Sequence, residues 1–238
     1  MTIHTEFITA DWPAPTRVKA YSTLRHSGVS QTPRTELNQQ RLIELFKLPE
    51  PPTWIQQTHS VIPAEALQAN QNKEADAVFT HQTNKVCAVV TADCLPVLLS
   101  TSTGSHVAAI HAGWRGLLNG IIENTLDALH LPTDDILVWL GPAIGPKQFE
   151  IRKDVYDAFI QVDAQNTQAF TEIGHEHWLA DIYLLARLRL QKRGIHKIYG
   201  GNHCTYREDE NFFSYRREGQ ATGRNVSLIW IEDSIIKL

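Results

Sequence analysis

Two short apolar runs of β type, residues 86–90 and 107–110, constrain this chain most, because each leads within a few residues to a side chain that can bind a metal. Within TADCLPVLLSTSTGSHVAAIHAGWRG (residues 91–116), Cys94 follows the first run and His111 ends the second. Chain-breaking residues come next, Leu95-Pro96 in one case and Gly113 and Gly116 in the other. Reactive side chains are most often carried on loops held by a rigid sheet. The stretch therefore reads as the functional end of a sheet.

The rest of the chain supplies that sheet and its cover. Residues 18–23, 54–59, 75–80, 136–140, 195–199 and 226–231 read as further strands, and the second of these ends at His59. Apolar periodicity with proline and glycine stops predicts helices over 35–47, 117–129, 153–161 and 181–193. In the first, Leu37, Leu42, Leu45 and Phe46 fall near helical spacing; in the second, Ile121, Ile122, Thr125, Leu126 and Leu129 share a face. Residues 31–33 read as a loop, and FFSYRR (212–217) runs into a glycine-bearing loop at 218–224. Strands and helices alternate irregularly, with no linker or repeat. The expectation is a single domain over residues 1–238 of mixed α/β (α+β) class, with mixed sheets flanked by helices.

Composition excludes several classes. A net charge of -4 argues against a nucleic-acid binder working through a basic face, while leaving room for a local basic pocket. No apolar stretch approaches the roughly 18–20 residues of a bilayer crossing, and MTIHTEFITADWPAP lacks the basic and apolar regions of a signal peptide. Cys87, Cys94 and Cys204 form an odd set without disulfide-framework spacing, which points to reduced thiols in the cytoplasm.

His59, Cys94 and His111 each fall at the predicted end of a strand. Two imidazoles and a thiolate suit zinc, and three protein ligands leave a fourth position for water, as in catalytic sites. Their spacing is not a local metal motif, so a buried cysteine and two isolated histidines remain the alternative. In HAGWRG the glycines permit tight backbone geometry, and a helix starting near Leu117 would offer free N–H groups beside Arg115 for an anion. A structural ion pair is the plainer role for Arg115. Tyr215, Arg216, Arg217 and Arg224 form a basic, aromatic-flanked loop, either a solvated face or a set of contacts to a heterocyclic substrate; Arg25 carries the same ambiguity. Cys204, next to His203, is a nucleophile or an inert thiol. Cys87 reads as core.

Five blocks then occur in order: QTHS (57–60), TADCLPVLL (91–99), HAGWRG (111–116), GPAIGP (141–146) and CTY…FFSYRREG..TGR (204–224). Together they resemble the YfiH family, also called laccase-domain or multicopper polyphenol oxidase-like proteins, over nearly the whole chain. The resemblance implies an α/β fold of mixed sheets flanked by helices, shared with the cysteine-hydrolase-like catalytic domain of cytotoxic necrotizing factor. It implies a zinc site at His59, Cys94 and His111, and places Arg25 in the substrate pocket. Family activities include phosphorolysis of adenosine, inosine and methylthioadenosine, deamination of adenosine, copper-dependent phenol oxidation, and a role in editing peptidoglycan. Two departures stand out: Lys147-Gln148 where many relatives have a cysteine, and SGVS (27–30) where GGVS is usual.

Multicopper oxidases need clustered His-x-His pairs, and this chain has only His175-Glu176-His177, outside every block. The favoured expectation is a zinc-dependent purine nucleoside enzyme acting with phosphate or by deamination, with Arg115 and Arg25 on phosphate. Cytidine-type deaminases carry H-x-E and P-C-x-x-C signatures, which are absent, so Asp93 beside Cys94 is the candidate acid/base. A copper (Cu2+) phenol oxidase and a hydrolase of a cell-wall precursor are the alternatives.

Overall fold

A computed structural model describes residues 5–29 and 34–233. The loop expected at 31–33 lies outside them, as does Ser30 of the SGVS block.

Two sheets are packed face to face. The larger is mixed and six-stranded, in the order β12 (Ile198–Gly200), β8 (Ile136–Leu140), β6 (Leu95–Thr101), β7 (Val107–Ala112), β4 (Ala77–Thr80), β3 (Pro63–Glu65). Only its outer pairs, β12–β8 and β3–β4, are parallel. The smaller is antiparallel, in the order β1 (Phe7–Thr9), β2 (Val18–Thr23), β13 (Asn225–Ile231), β5 (Cys87–Thr91). A third, three-stranded sheet, β10 (Phe170–Gly174), β11 (His177–Ala180) and β9 (Glu150–Arg152), packs at one side.

Side-chain alternation explains the layering. Successive residues of a strand face opposite ways. Leu98, Val107, Ala109 and Val78 meet Cys87, Val89, Ile229 and Ile231 between the sheets. The alternate residues Leu95, Val97, Leu99, Ala108 and Ile110 pack under α2 (Trp114–Asn119), α3 (Ile121–Leu129), α4 (Lys153–Val162) and α5 (Ile182–Lys192). On the far side Val226, Leu228 and Trp230 receive Leu42 and Phe46 of α1 (Glu36–Phe46). Strands covered on both faces read as unbroken apolar runs, and β6, β7, β8 and β13 are buried throughout.

Five expectations need correction. Residues 54–59 are not a strand: isolated bridges join Thr53 to Cys87 of β5 and Gln56 to Glu74, and His59 sits at φ 63°. Leu95-Pro96 does not break the chain but begins β6, where Pro96 pairs with His111. The helix over 117–129 is two helices. α2 starts at Trp114, and Gly120 at φ 100° ends it and starts α3. Leu37 projects to solvent, at 81% exposure, because it lies off the face carrying Leu42 and Phe46. Residues 215–218 form one further helical turn, α6 (Tyr215–Glu218), capped by Ser214, where a loop was expected.

Candidate metal centre and active site

The same alternation builds the site. Continuing the inter-sheet face of β7 past Val107 and Ala109 reaches His111, and continuing that of β4 back from Val78 reaches Asp76. The two meet: His111 Nδ1 and Asp76 Oδ1 are 2.6 Å apart, both buried. With Nδ1 donating to the carboxylate, Nε2 is the nitrogen left for a ligand.

Asp76 also shapes the turn carrying His59. It accepts from the backbone N–H of Thr58 (3.1 Å), His59 (3.1 Å) and Ser60 (2.6 Å) and from the Ser60 hydroxyl (2.7 Å). One buried carboxylate thus orients two of the three candidate ligands. Burial alone would raise its pKa; the bonds from His111 and Ser60 outweigh that and hold it below the ordinary value. Sequence reasoning missed Asp76. Its signal was an acid between two alanines at the start of an otherwise apolar strand, ADAVFT.

His59, Cys94 and His111 converge, with ligand atoms all within 4.8 Å of one another. Cys94 Sγ lies 3.8 Å from His59 Nε2, and the two imidazole rings meet edge-on with centroids 4.9 Å apart. Zinc bonds of about 2.3 Å to sulfur and 2.0–2.1 Å to nitrogen place donors roughly 3.3–3.7 Å apart, so small rotations close the set onto an ion. Burial would push the Cys94 thiol up, but His111 and His59 bring it down to about 6. His111, which burial would lower, is held up at about 9 by Cys94 and Asp76. Cys94 is therefore a thiolate against the His111 imidazolium, whose proton a metal would displace. Gly113 is part of this geometry: a Cβ there would lie 2.6 Å from His59 Cδ2 and 3.1 Å from Cys94 Sγ.

These residues floor a cavity of about 560 Å³. Trp114, Phe149, Ile144 and Tyr215 give it apolar walls, and Arg34, Arg115, Arg216 and Arg224 give it charge. Arg115 lies 4.2 Å from the Trp114 ring and makes no hydrogen bond or ion pair among the described residues. Arg216 is fixed by bonds to the carbonyls of Gln148 and Glu150.

Other candidates fall elsewhere. Asp93 lines the cavity at φ 87°, but one of its oxygens accepts from Thr205 and the other from the Arg216 N–H, each at 2.6 Å. It fixes the ligand loop to the last helical turn. Arg25 does not line the cavity; it pairs with Glu218 over the Phe213 ring. Arg217 donates to the carbonyls of Thr205, Tyr206 and Phe212 and is structural. The Cys204 thiol accepts from the Gly145 N–H at 3.2 Å in a second cavity, apart from the trio. His177 pairs with Glu150 beside the hairpin turn.

A family described as multi-copper polyphenol oxidoreductase laccase matches residues 19–232. The chain belongs to this laccase-domain family. A Haemophilus influenzae member named purine nucleoside phosphorylase is 44% identical, over 94% of this chain and 99% of the relative. The Escherichia coli member, named purine nucleoside phosphorylase YfiH, is 43% identical over 95% and 99%. Among solved structures, the Neisseria meningitidis protein NMB0706 superposes with a TM-score of 0.90 at 42% identity, covering 96% of this chain and all of that one. YlmD from Geobacillus stearothermophilus shares the laccase-domain fold at 23% identity, with a TM-score of 0.83 over 98% of both chains.

Proposed function

We propose that this laccase-domain protein is a zinc-dependent purine nucleoside phosphorylase, cleaving adenosine, inosine or methylthioadenosine in the cytoplasm. The observation that carries the reading is the cavity: a His–Cys–His floor, flat apolar walls and four guanidinium groups around one space. Relatives above 40% identity that bear the phosphorylase name support it.

In phosphorolysis the C1′–N9 bond of the nucleoside breaks, a phosphate oxygen bonds to C1′, and the base leaves with a proton at a ring nitrogen. Trp114, Phe149 and Tyr215 match a flat purine. The guanidinium groups match the phosphate dianion, and enclosure holds the reactants together. A zinc ion at His59, Cys94 and His111 would supply Lewis acidity. Zinc is favoured over copper by the mixed thiolate and imidazole donors. Among the described residues this is the one trio of side chains placed to hold an ion, where a multicopper oxidase needs several. Deamination of adenosine in the same cavity is the second activity proposed. Asp93, the sequence candidate for its proton transfers, has both oxygens engaged, so it acts by positioning the Cys94 loop.

The test is incubation of purified protein with adenosine, with and without phosphate. Adenine appearing only with phosphate is expected for phosphorolysis, and inosine for deamination. Absence of nucleoside turnover, or several copper ions per chain and no zinc, would reject the proposal.

A further inference from the structure

The end of β5 carries features that neither the metal trio nor Arg115 uses. Thr91, its last residue, is 2% exposed and lines the cavity, yet its Oγ1 has no hydrogen-bond partner. A buried hydroxyl without a partner is costly and calls for an explanation.

Two guanidinium groups that line the same cavity are anchored on opposite edges of the strand. On one edge, the Gln57 side-chain amide brackets Val90, accepting from its N–H at 2.9 Å and donating to its carbonyl at 2.8 Å. Arg34 is held on that same segment, donating to the Ile55 carbonyl with its guanidinium 5.9 Å from the Trp54 ring. On the other edge, β13 places Asn225 opposite Thr91. Arg224 therefore sits one residue beyond, fixed by bonds to the carbonyls of Thr222 (3.0 Å) and Gly223 (2.9 Å). Both arginines line the cavity, and neither has a carboxylate partner among the described residues. Asp93, the one carboxylate in the lining, is already bound to Thr205 and Arg216.

We propose that Arg34, Thr91 and Arg224 form the phosphate subsite of the cavity, separate from Arg115. All three side chains can donate, two carry fixed positive charge, and the backbone carbonyls that hold the arginines pre-orient them without neutralising them. A neutral nucleoside needs no such pair of cations, whereas a phosphoryl group does. The ligand chemistry is a tetrahedral oxyanion, supplied by inorganic phosphate or by the phosphate of a sugar 1-phosphate product. The subsite rests on the phosphorylase reading, but its occupancy can be measured apart from turnover.

The experiment is calorimetric titration of the zinc-loaded protein with inorganic phosphate and, separately, with ribose 1-phosphate. Thr91→Val keeps the shape of the side chain and removes the hydroxyl; Arg34→Gln removes one charge. Each is expected to weaken phosphate binding about tenfold or more, with zinc content and melting temperature kept as checks on folding. Arg115→Gln is expected to weaken phosphate binding less than either of these variants. Phosphate binding lost in Arg115→Gln but retained in Thr91→Val and Arg34→Gln would overturn the proposal, as would wild-type protein that binds neither oxyanion. Tight phosphate binding that depends on Thr91 and Arg34, in a protein that never cleaves a nucleoside, would support the subsite and reject the reaction. Loss of ribose 1-phosphate binding alone would assign the same residues to the product.

Discussion

At the residue scale the decisive side chain is Asp76, which holds His111 and the His59 turn together. Asp76→Asn keeps the size but gives up the anionic acceptor. It is expected to lower metal affinity about 10–100-fold, read by competition with a chromophoric chelator; unchanged affinity would remove the carboxylate from the site. Gly113→Ala tests the same packing from the opposite side. With 2.6 Å between the new Cβ and the His59 ring, the variant is expected to fold but to purify with little bound metal. The three candidate ligands were legible in the sequence because each stood inside a recognisable block, Cys94 and His111 also beside an apolar strand. Asp76 was not, since a buried carboxylate looks like any acid until its partners are known. Arg34 was missed for a similar reason, lying between an expected loop and an expected helix with nothing local to mark it.

At the element scale, strands covered on both faces were easy to read at β7, β8 and β13, which lie close to where their apolar runs predict, whereas Pro96 hid β6 behind an expected break. Residues 54–59 misled because extended backbone with a buried Trp54 and Ile55 resembles a strand, although their bonds to β5 come through the Gln57 side chain. The split at Gly120 was hidden because a glycine within a helical period is tolerated. Its φ of 100° makes it a joint. Gly120→Ala is expected to cost about 1–2 kcal/mol in urea denaturation, whereas a continuous helix would be stabilised by the change. The last helical turn offers a pH test. Burial would raise the Glu218 carboxyl, but bonds from Arg217, Thr222 and Arg25 bring it below its ordinary value. A folded-state pKa below the unfolded one gives stability that is present above the unfolded value and is lost as pH falls through the folded one. Glu218→Gln should therefore flatten the acid side of the stability profile while lowering stability at neutral pH.

At the scale of the whole molecule, the site stands at the end of two sheets whose packing fixes its width. Leu98, fully buried between them, is the natural probe: Leu98→Ala is expected to destabilise by about 2–5 kcal/mol and to weaken metal binding in the folded fraction. A loss of stability with unaltered metal affinity would mean that the trio is held locally, by the Asp76 turn alone. The pairing of β13 has a consequence in time. It is the last strand of the described chain, yet it lies inside its sheet, between β2 and β5, and brings Asn225 against Thr91. During synthesis the N-terminal part of a chain emerges and begins to organise first, but the edges of β2 and β5 that face β13 have nothing to pair with until residues 225–231 appear. A ribosome stalled before those codons should carry a chain open to protease along β5, while emergence of residues 225–231 seals the sheet and completes the cavity in one step.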